Sequence, residues 1–193
     1  MAEYAPRNDE GKHRILKDDH TAISLLKDEH HVFRRLFDEA ENAEGTELAG
    51  IARELCMRLN VHMTIEEEIL YPALKSLDEE ELRDEVNEGV VEHQAGKYII
   101  AELEQLEGSE ELYKAKVHVL GEETVHHIDE EDEELFEEAK KAHAEGRINL
   151  DLIGEQLRER QAELYDAIAE FGEAEETDEA DANEVETVED DGA

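Results

Sequence analysis

The sequence has 193 residues, with 57 acidic and 19 basic side chains, a formal net charge of −38 and a single cysteine. A surface this negative repels nucleic acid and anionic lipid, so those two classes of partner are excluded. One cysteine excludes an internal disulfide, and Cys56 lies on a helical pattern that predicts a small core residue in a reducing cytosol. The apolar runs are too short for a signal peptide or a membrane span, so we expect a cytoplasmic protein.

The negative charge is spread over the whole chain. Residues 172–193 contain eleven acidic and no basic side chains, yet residues 1–171 still carry a net charge of −27. A folded body with this charge repels itself in dilute buffer and is stabilised when salt screens the charges. We therefore expect a halophilic protein from a salt-rich cytoplasm. The alternatives are a surface that binds cations throughout and an acidic protein without a special habitat.

The chain begins with a charged, aperiodic segment. Residues 1–20 show neither helical nor strand periodicity and are predicted to form a loose N-terminal arm. Strong helix formers then predict a first helix from Thr21 to about Ala43. Gly45 ends this helix, and Thr46 is in place to cap the next one.

Two more long helices follow. The second is predicted from about Glu47 to Tyr71, with Pro72 disrupting its last turn. The segment "SLDEEEL" then supplies a turn and a new N-cap at Asp78, with acidic residues in the first helical turn. The third helix is predicted to extend from this cap to about Glu107.

The next boundary repeats the same stop and start signals. Gly108 ends the third helix, and Ser109 caps a fourth that is predicted to extend to Ala144. Gly146 closes the fourth helix. A fifth helix carries an apolar stripe that either covers the bundle or joins two protomers, formed by Leu150, Ile153, Leu157, Leu164, Ile168 and Phe171.

The expected fold is all-α. Four long helices joined by very short turns pack as an antiparallel up-down-up-down bundle, because short connections make consecutive helices neighbours. Acid-rich composition predicts disorder after the fifth helix. The predicted organisation is an arm over 1–20, a four-helix bundle over 21–146, an accessory C-terminal helix over 147–171 and a disordered acidic tail over 172–193.

Each apolar stripe of the bundle is interrupted by a histidine, and two of these histidines are followed four residues later by glutamate. Residues equidistant from a tight turn lie at the same height, because both helices rise equally per residue. Midpoints between successive polar positions fall at about residues 47, 78 and 111, on or close to the predicted turns. We therefore expect six side chains to meet in one layer of the core: His30, His62, Glu66, His93, His127 and Glu131.

A weak internal repeat supports this layer. The segment "EHHVFRRLF" resembles "EHQAGKYII" 63 residues later, and "HMTIEEEILY" resembles "HIDEEDEELF" 65 residues later. Both halves have a histidine followed by the pattern His-x3-Glu-x4-aromatic. The repeat indicates two helical hairpins related by a pseudo-twofold axis.

The layer is better explained by metal than by structural histidines. A single histidine on an apolar stripe is usually a core residue with a hydrogen-bond partner. Four imidazoles and two carboxylates together, however, must be desolvated at a cost of several kcal/mol per ion, and His–Glu pairing leaves two histidines over. Nitrogen and carboxylate ligands without thiolate exclude a structural cysteine-type zinc site and suit iron, manganese or zinc. Six ligands, with two carboxylates able to bridge, favour a pair of metals, and iron before manganese or zinc.

Other histidines and acids receive lesser roles. Glu67 and Asp132, next to the two glutamates, are held in reserve as sources of extra oxygen ligands. His31 is turned about 100° from His30 and is expected at the surface. Two further His–Glu pairs on the fourth helix, His118–Glu122 and His126–Glu130, are expected on the solvent side or beside the site. Three other histidines are expected outside the layer: His13, His20 and His143.

The arrangement resembles the hemerythrin-like HHE cation-binding family over about residues 21–140, whose signature is His…His-x3-Glu…His…His-x3-Glu on four helices. The resemblance implies two non-haem irons, oxo- or hydroxo-bridged, with Glu66 as a bridging ligand and Glu131 as its counterpart. The matching residues are His30 in "LLKDEHHVFRRLF", His62 and Glu66 in "HMTIEEEILYPAL", His93 in "VEHQAGKYII", and His127 and Glu131 in "HHIDEEDEELF".

The chain departs from the oxygen-carrying hemerythrins at the third helix. There the carriers have two histidines four apart, whereas this chain has Lys97 four residues after His93. It retains Asp132 five residues after His127, where the carriers have His-x4-Asp, so either Glu131 or Asp132 is available to bridge. The missing histidine favours a site that senses or reacts with iron, oxygen, peroxide or nitric oxide over one that carries oxygen reversibly.

The expected function is that of a hemerythrin-like di-iron protein that binds, senses or reacts with O2 or a related small oxidant, rather than a turnover enzyme. One alternative is a ferritin-like iron oxidase or store, which uses Glu-x-x-His on two helices; only Glu123-x-x-His126 offers this spacing in a bundle helix. The other is a metal-free helical interaction module. Any protein partner or second copy is expected at the C-terminal helix.

Overall fold

The computed structural model describes residues 21–186, with side chains from 22 to 171, so the predicted arm over 1–20 lies outside the described residues. This part of the chain forms helices joined by short turns and contains no strand, which confirms the all-α prediction. None of its helices is both long and apolar enough to cross a membrane. The helices are α1 (Thr21–Asn42), α2 (Gly45–Ile65), α3 (Tyr71–Lys75), α4 (Glu80–Leu103), α5 (Tyr113–Glu130), α6 (Phe136–Ala144) and α7 (Leu150–Glu186).

Two π turns join helices end to end. The first π turn, Glu66–Leu70, connects α2 to α3, and the second π turn, Glu131–Leu135, connects α5 to α6. Residues 21–186 are therefore arranged as five rods: α1, α2–α3, α4, α5–α6 and α7. Pro72 lies in the first turn of α3, directly after the π turn, so the regular α-helix is interrupted just before Pro72 and helix then continues to Lys75.

Two of the predicted N-caps are wrong. Asp78 has a φ of 58° and binds the guanidinium of Arg83, while Glu79 holds the position before α4 without a capping hydrogen bond from its side chain. Glu44, not Thr46, precedes α2. Gly45 and Asp78 both have a left-handed φ and lie close to the start of the next helix. Neither predicted residue, Thr46 or Asp78, therefore holds the N-cap position.

The connection before α5 differs for a similar reason. Gly108 ends the turn with a left-handed φ of 92°, as its predicted role requires. The Glu110 carboxylate accepts a hydrogen bond from the backbone N–H of Gly108 at 2.9 Å. This local bond holds the chain in a turn, so α5 begins at Tyr113 and Ser109 is not its cap.

The rods enclose two apolar clusters, the second of which also includes residues of α7. Rod α1 packs against α2 and α5, and α4 packs against α2 and α5, which is consistent with a helical bundle. One cluster includes Phe33, Leu59 and Leu120, and the other includes Ile23 and Leu70. Cys56 is buried in the first cluster as predicted, and burial raises the pKa of its thiol to about 12.

The first part of α7 covers the bundle. Leu150, Ile153 and Leu157 are buried, and the helix packs mainly against α1 and α2. Further along, Phe171 is 75% exposed, and a second protomer at this end stays a prediction. The helix continues to Glu186, whereas composition predicts disorder from residue 172; alanine and glutamate are strong helix formers, and disorder of this tail is not confirmed.

Candidate metal centre

The six side chains placed in one layer by their depth lie together in the core. They form two overlapping groups, in each of which the candidate donor atoms lie within 4.8 Å of one another, and Glu66 belongs to both. Among residues 22–171 these six are the buried polar side chains, and none is more than 6% exposed. The groups are His30, His62, Glu66 and Glu131, and Glu66, His93 and His127.

One oxygen of Glu66 faces histidines from two helices. Its Oε2 is 3.3 Å from Nε2 of His62 and 3.4 Å from Nε2 of His93. Nε2 of His93 is also 3.0 Å from Nε2 of His127. The carboxylate of Glu66 therefore lies between the two groups of donors, where a bridging ligand would be placed.

Glu131 has the corresponding position on the other side of the layer. Its Oε2 is 3.4 Å from Nε2 of His30 and 3.7 Å from Nε2 of His127. Its Oε1 accepts a hydrogen bond from the Tyr71 hydroxyl at 2.8 Å. Glu131 thus turns one oxygen toward the histidines and the other toward a phenol.

Several of these inner atoms have no hydrogen-bond partner. They are Nε2 of His30 and of His62, both carboxylate oxygens of Glu66, and Oε2 of Glu131. Buried polar atoms are normally paired, because an unmade hydrogen bond costs about 1–3 kcal/mol. A set of nitrogen and oxygen atoms that converge in the core without hydrogen-bond partners fits a cation, and the residues could hold metal.

The outer nitrogen of every histidine in the layer contacts a carboxylate on a neighbouring rod. A carboxylate that accepts the Nδ1–H fixes the ring orientation and leaves the Nε2 lone pair directed inward. We call these four acids the outer carboxylates. The contacts are His62 Nδ1 to Glu29 at 3.1 Å, His93 Nδ1 to Glu67 at 2.9 Å, His127 Nδ1 to Glu92 at 2.8 Å and His30 Nδ1 to Asp132 at 3.1 Å.

The two acids held in reserve therefore lie outside the layer. Glu67 accepts hydrogen bonds from Lys97 Nζ at 2.7 and 2.8 Å in addition to its contact with His93. Asp132 accepts one from Arg34 at 3.2 Å. Of the two acids considered for the bridge on the fourth rod, Glu131 is in the layer and Asp132 supports it from outside. Lys97 directs its charge to Glu67.

Three residues beside the layer were not predicted from the sequence. Glu29 and Glu92 each precede a candidate histidine but contact the histidine of another rod, so no spacing along one helix reveals them. Tyr71 entered only as the aromatic residue of the repeat. The shared "EH" at 29–30 and 92–93, and the acid after each candidate glutamate, were the available signal.

Carboxylates raise the pKa of two of the histidines. Burial lowers the pKa of His30, but its contacts with Asp132 and Glu131 outweigh burial and raise the value to about 9. Burial likewise opposes the shift at His127, and the charges of Glu131 and Glu92 raise its pKa to about 9. These shifts favour the protonated form of both rings in the metal-free protein.

The pKa values of His93, Glu66 and Glu131 are also shifted. Burial and the nearby cationic His127 lower the pKa of His93 to about 4. Burial and the negative charge of Glu131 raise the pKa of Glu66 to about 8. Burial alone would raise the pKa of Glu131 too, but the cationic His127 and His30 hold it well below its ordinary value. The pKa values of the two glutamates are thus shifted in opposite directions.

The remaining histidines lie away from the layer. His31 is exposed, and the His118–Glu122 and His126–Glu130 pairs are at the surface, with the His126 side chain 64% exposed. His143 accepts a hydrogen bond from the backbone N–H of Leu150 at the start of α7. His13 and His20 lie outside the described residues.

Two small cavities flank His127. One, of about 70 Å³, is lined by Gly89, Tyr71 and Glu131 and by several exposed acids of α4 and α5. The other, of about 20 Å³, is mostly apolar and reaches His62 and His93. The larger groove of about 1220 Å³ between α1 and α5 is lined by none of the six side chains.

Comparison with known proteins gives one match. A family model, the hemerythrin HHE cation binding domain, matches residues 21–139. No curated protein and no solved structure matches the chain. The matched span begins with α1, ends within α6 and contains all six residues of the layer, while α7 lies beyond it.

Proposed function

The chain belongs to the hemerythrin HHE cation-binding family, and from this premise we propose that it holds two iron ions in the core of an antiparallel four-helix bundle. There it binds, senses or reacts with O2 or a related small oxidant such as peroxide or nitric oxide. The observation that carries this proposal is the set of buried, unpartnered nitrogen and oxygen atoms that converge in one layer.

The two groups of donors suggest an unequal pair of metal positions. The first would be held by His30, His62, Glu66 and Glu131, and the second by Glu66, His93 and His127. Glu66 has both oxygens free of hydrogen bonds, which supports it as the bridging carboxylate. The second position has fewer protein donors, so we propose it as the place where a small exogenous ligand binds.

The donor chemistry favours iron. Imidazole and carboxylate donors without thiolate suit iron, manganese and zinc, and carboxylate-bridged pairs suit iron in particular. When bound, an iron pair supplies the redox chemistry that none of these side chains provides. The chain supplies the neutral Nε2 atoms, fixed by the outer carboxylates, and an apolar surround that limits access of water.

Lys97 supports sensing or reaction over reversible carriage. It stands where the oxygen carriers have a second histidine, and its ammonium is bound to Glu67 outside the layer. The second metal position therefore lacks one nitrogen donor. The ferritin-like alternative is disfavoured because both residues of its motif, Glu123 and His126, are exposed.

Metal analysis of a matched pair of variants tests the proposal. Wild-type protein loaded anaerobically with Fe(II) and desalted should retain two irons per chain and develop visible charge-transfer absorption on oxidation. His62→Leu should lose most of its iron and unfold more readily, because metal binding and folding are linked. His126→Leu, which removes a surface histidine that also has a Glu four residues later, should retain both irons.

The opposite results would reject it. Wild-type protein without stoichiometric iron would favour the metal-free interaction module, and equal iron content in His62→Leu and His126→Leu would place the metal elsewhere. Repeated, reversible spectral change on adding and removing O2 would identify a carrier, whereas one irreversible change per oxidant would identify a reactive site.

A further inference from the structure

Tyr71 and Phe136 hold equivalent positions in the two halves of the chain. Each follows a candidate glutamate by five residues, directly after a π turn. The Tyr71 ring stacks on His93 with centroids 5.4 Å apart and an interplanar angle of 23°, and the Phe136 ring stacks on His30 at 5.6 Å and 12°. The two aromatic residues therefore differ in one feature, the hydroxyl of Tyr71.

The Tyr71 hydroxyl is held in a buried position by defined contacts. It lies 2.8 Å from Oε1 of Glu131 and 3.3 Å from Nε2 of His93, and the side chain is 2% exposed. A Cβ at residue 89 would lie 2.9 Å from the hydroxyl oxygen, so glycine at that position leaves the space that the hydroxyl fills. A phenol fixed this close to a donor nitrogen borders the second metal position.

The hydroxyl also makes the two glutamates unequal. Glu66 has both oxygens without hydrogen-bond partners, whereas Glu131 has only Oε2 free because Oε1 is bound to Tyr71. Phe136, in the mirror position, makes no such bond to Glu66. Tyr71 thus limits Glu131 to one available oxygen and leaves the group of Glu66, His93 and His127 with three protein donors.

We propose that the Tyr71 hydroxyl is the hydrogen-bond donor to a small exogenous ligand bound at the second metal position, the group of Glu66, His93 and His127. The ligand class is a small anion or diatomic molecule that binds metal through one atom and accepts a hydrogen bond at another. Because a phenol has one proton, donation to the ligand releases Oε1 of Glu131. Ligand binding and the freeing of this oxygen are therefore coupled. This inference rests on the proposed di-metal function.

Azide binding to iron-loaded protein tests the inference with two variants that each change one oxygen atom. Tyr71→Phe removes the buried hydroxyl, and Tyr98→Phe removes one from a tyrosine of α4 that is 66% exposed and donates only to Glu102. After metal analysis has shown two ferric ions per chain, azide is titrated and followed by visible absorption. Tyr71→Phe should bind azide about tenfold more weakly, the loss expected for one hydrogen bond. Tyr98→Phe should bind it like the wild type.

A second measurement needs no variant. In the wild-type azide complex, the azide stretching frequency should shift between H2O and D2O, because the donated proton exchanges with solvent. Three results would overturn the inference: unchanged azide affinity in Tyr71→Phe, no azide binding to two-iron wild-type protein, or a tyrosinate-to-iron absorption band, which would make Tyr71 a metal ligand. Failure of the wild type to take up iron is seen before azide is added, and it would instead reject the di-metal function.

Discussion

In the metal-free protein the pKa shifts favour protonation of three side chains of the layer: His30, His127 and Glu66. Burial lowers the pKa values of His30 and His127, but the neighbouring carboxylates raise them to about 9, and the two rings in turn lower the pKa of Glu131. Burial and the charge of Glu131 raise the pKa of Glu66 to about 8, which favours its protonated form at neutral pH. A metal that uses these atoms must displace those protons.

This protonation predicts opposite pH dependences for the metal-free and metal-loaded protein. Groups whose pKa is raised on folding contribute stability that is lost as pH rises through the folded value. For His30 and His127 the window is about pH 6.5 to 9, and for Glu66 about pH 4.5 to 8. The melting temperature of chelator-treated protein should therefore fall between pH 6.5 and 9, while apparent metal affinity rises because fewer protons must be released.

Thermal melts with chelator and with metal, measured at matched ionic strength across this range, check the prediction. The lowered pKa of His93, about 4, acts in the opposite sense but below pH 6.5, so it does not mask the effect. Metal-free and metal-loaded melting temperatures that change in parallel would contradict it.

The buried residues of the layer could be predicted from sequence, whereas their supports could not. His62 and Glu66 interrupt an apolar stripe on one helix, and turn positions then fix the depth of that stripe relative to the others. Glu29 and Glu92 are polar residues on partly exposed faces, where acids are common throughout this chain. Their partners are on other rods, so only the tertiary structure distinguishes them from surface charge.

At the level of elements, the π turns explain the repeat. Its spacing of four residues from histidine to glutamate is an α-helical turn, and its spacing of five from glutamate to aromatic residue is a π turn. The two turns together keep His62, Glu66 and Tyr71 on the core face. The sequence contains this signal in its five-residue step, whereas helical periodicity alone predicts one α-helix to about Tyr71; the structure has α2 to Ile65, a π turn, and α3 to Lys75.

The outer carboxylates carry a prediction of their own. Glu92→Gln removes the negative partner of His127 Nδ1 and should weaken metal binding by about 10–100-fold while the bundle remains folded. Glu88→Gln, one turn earlier on α4, removes the same charge from an exposed side chain and should bind metal like the wild type. Competition against a chelator of known affinity gives both values, and equal affinities would deny Glu92 a supporting role.

At the level of the whole molecule, the net charge of −38 is distributed over every rod. Salt shortens the range of repulsion from about 10 Å at 0.1 M to about 3 Å at 1 M, so it should stabilise the folded state. The free energy of unfolding by urea should rise between 0.1 and 2 M KCl by more than the ~1 kcal/mol that an isolated surface pair is worth. A chain ending at Phe171, which lacks eleven acids, should gain less.

Urea titrations of both chains at the two salt concentrations check this prediction. A stability that does not depend on KCl would remove the basis for a salt-rich habitat. A gain of equal size in both chains would mean that the acids beyond Phe171 do not repel the folded body.

Helix α7 contacts acidic residues beside the layer as well as the apolar core. Gln161 donates a hydrogen bond to Oε1 of Glu29 at 2.8 Å, and Glu29 in turn contacts His62. Arg160 binds Glu68 in the first π turn at 2.7 Å. The sequence left open whether this helix covers the bundle or joins two protomers, and these contacts show that its first part is an integral wall of the bundle.

Going around the bundle, each outer carboxylate contacts the histidine of the next rod, always in the same direction. Glu29 of α1 reaches the histidine of α2, Glu67 after α2 reaches that of α4, Glu92 of α4 reaches that of α5, and Asp132 after α5 returns to α1. Either hairpin alone would contain one of these contacts, and the other two exist only between hairpins. The circuit is complete only when the two hairpins pack together, so an isolated half of the chain would leave one of its two histidines without its outer carboxylate.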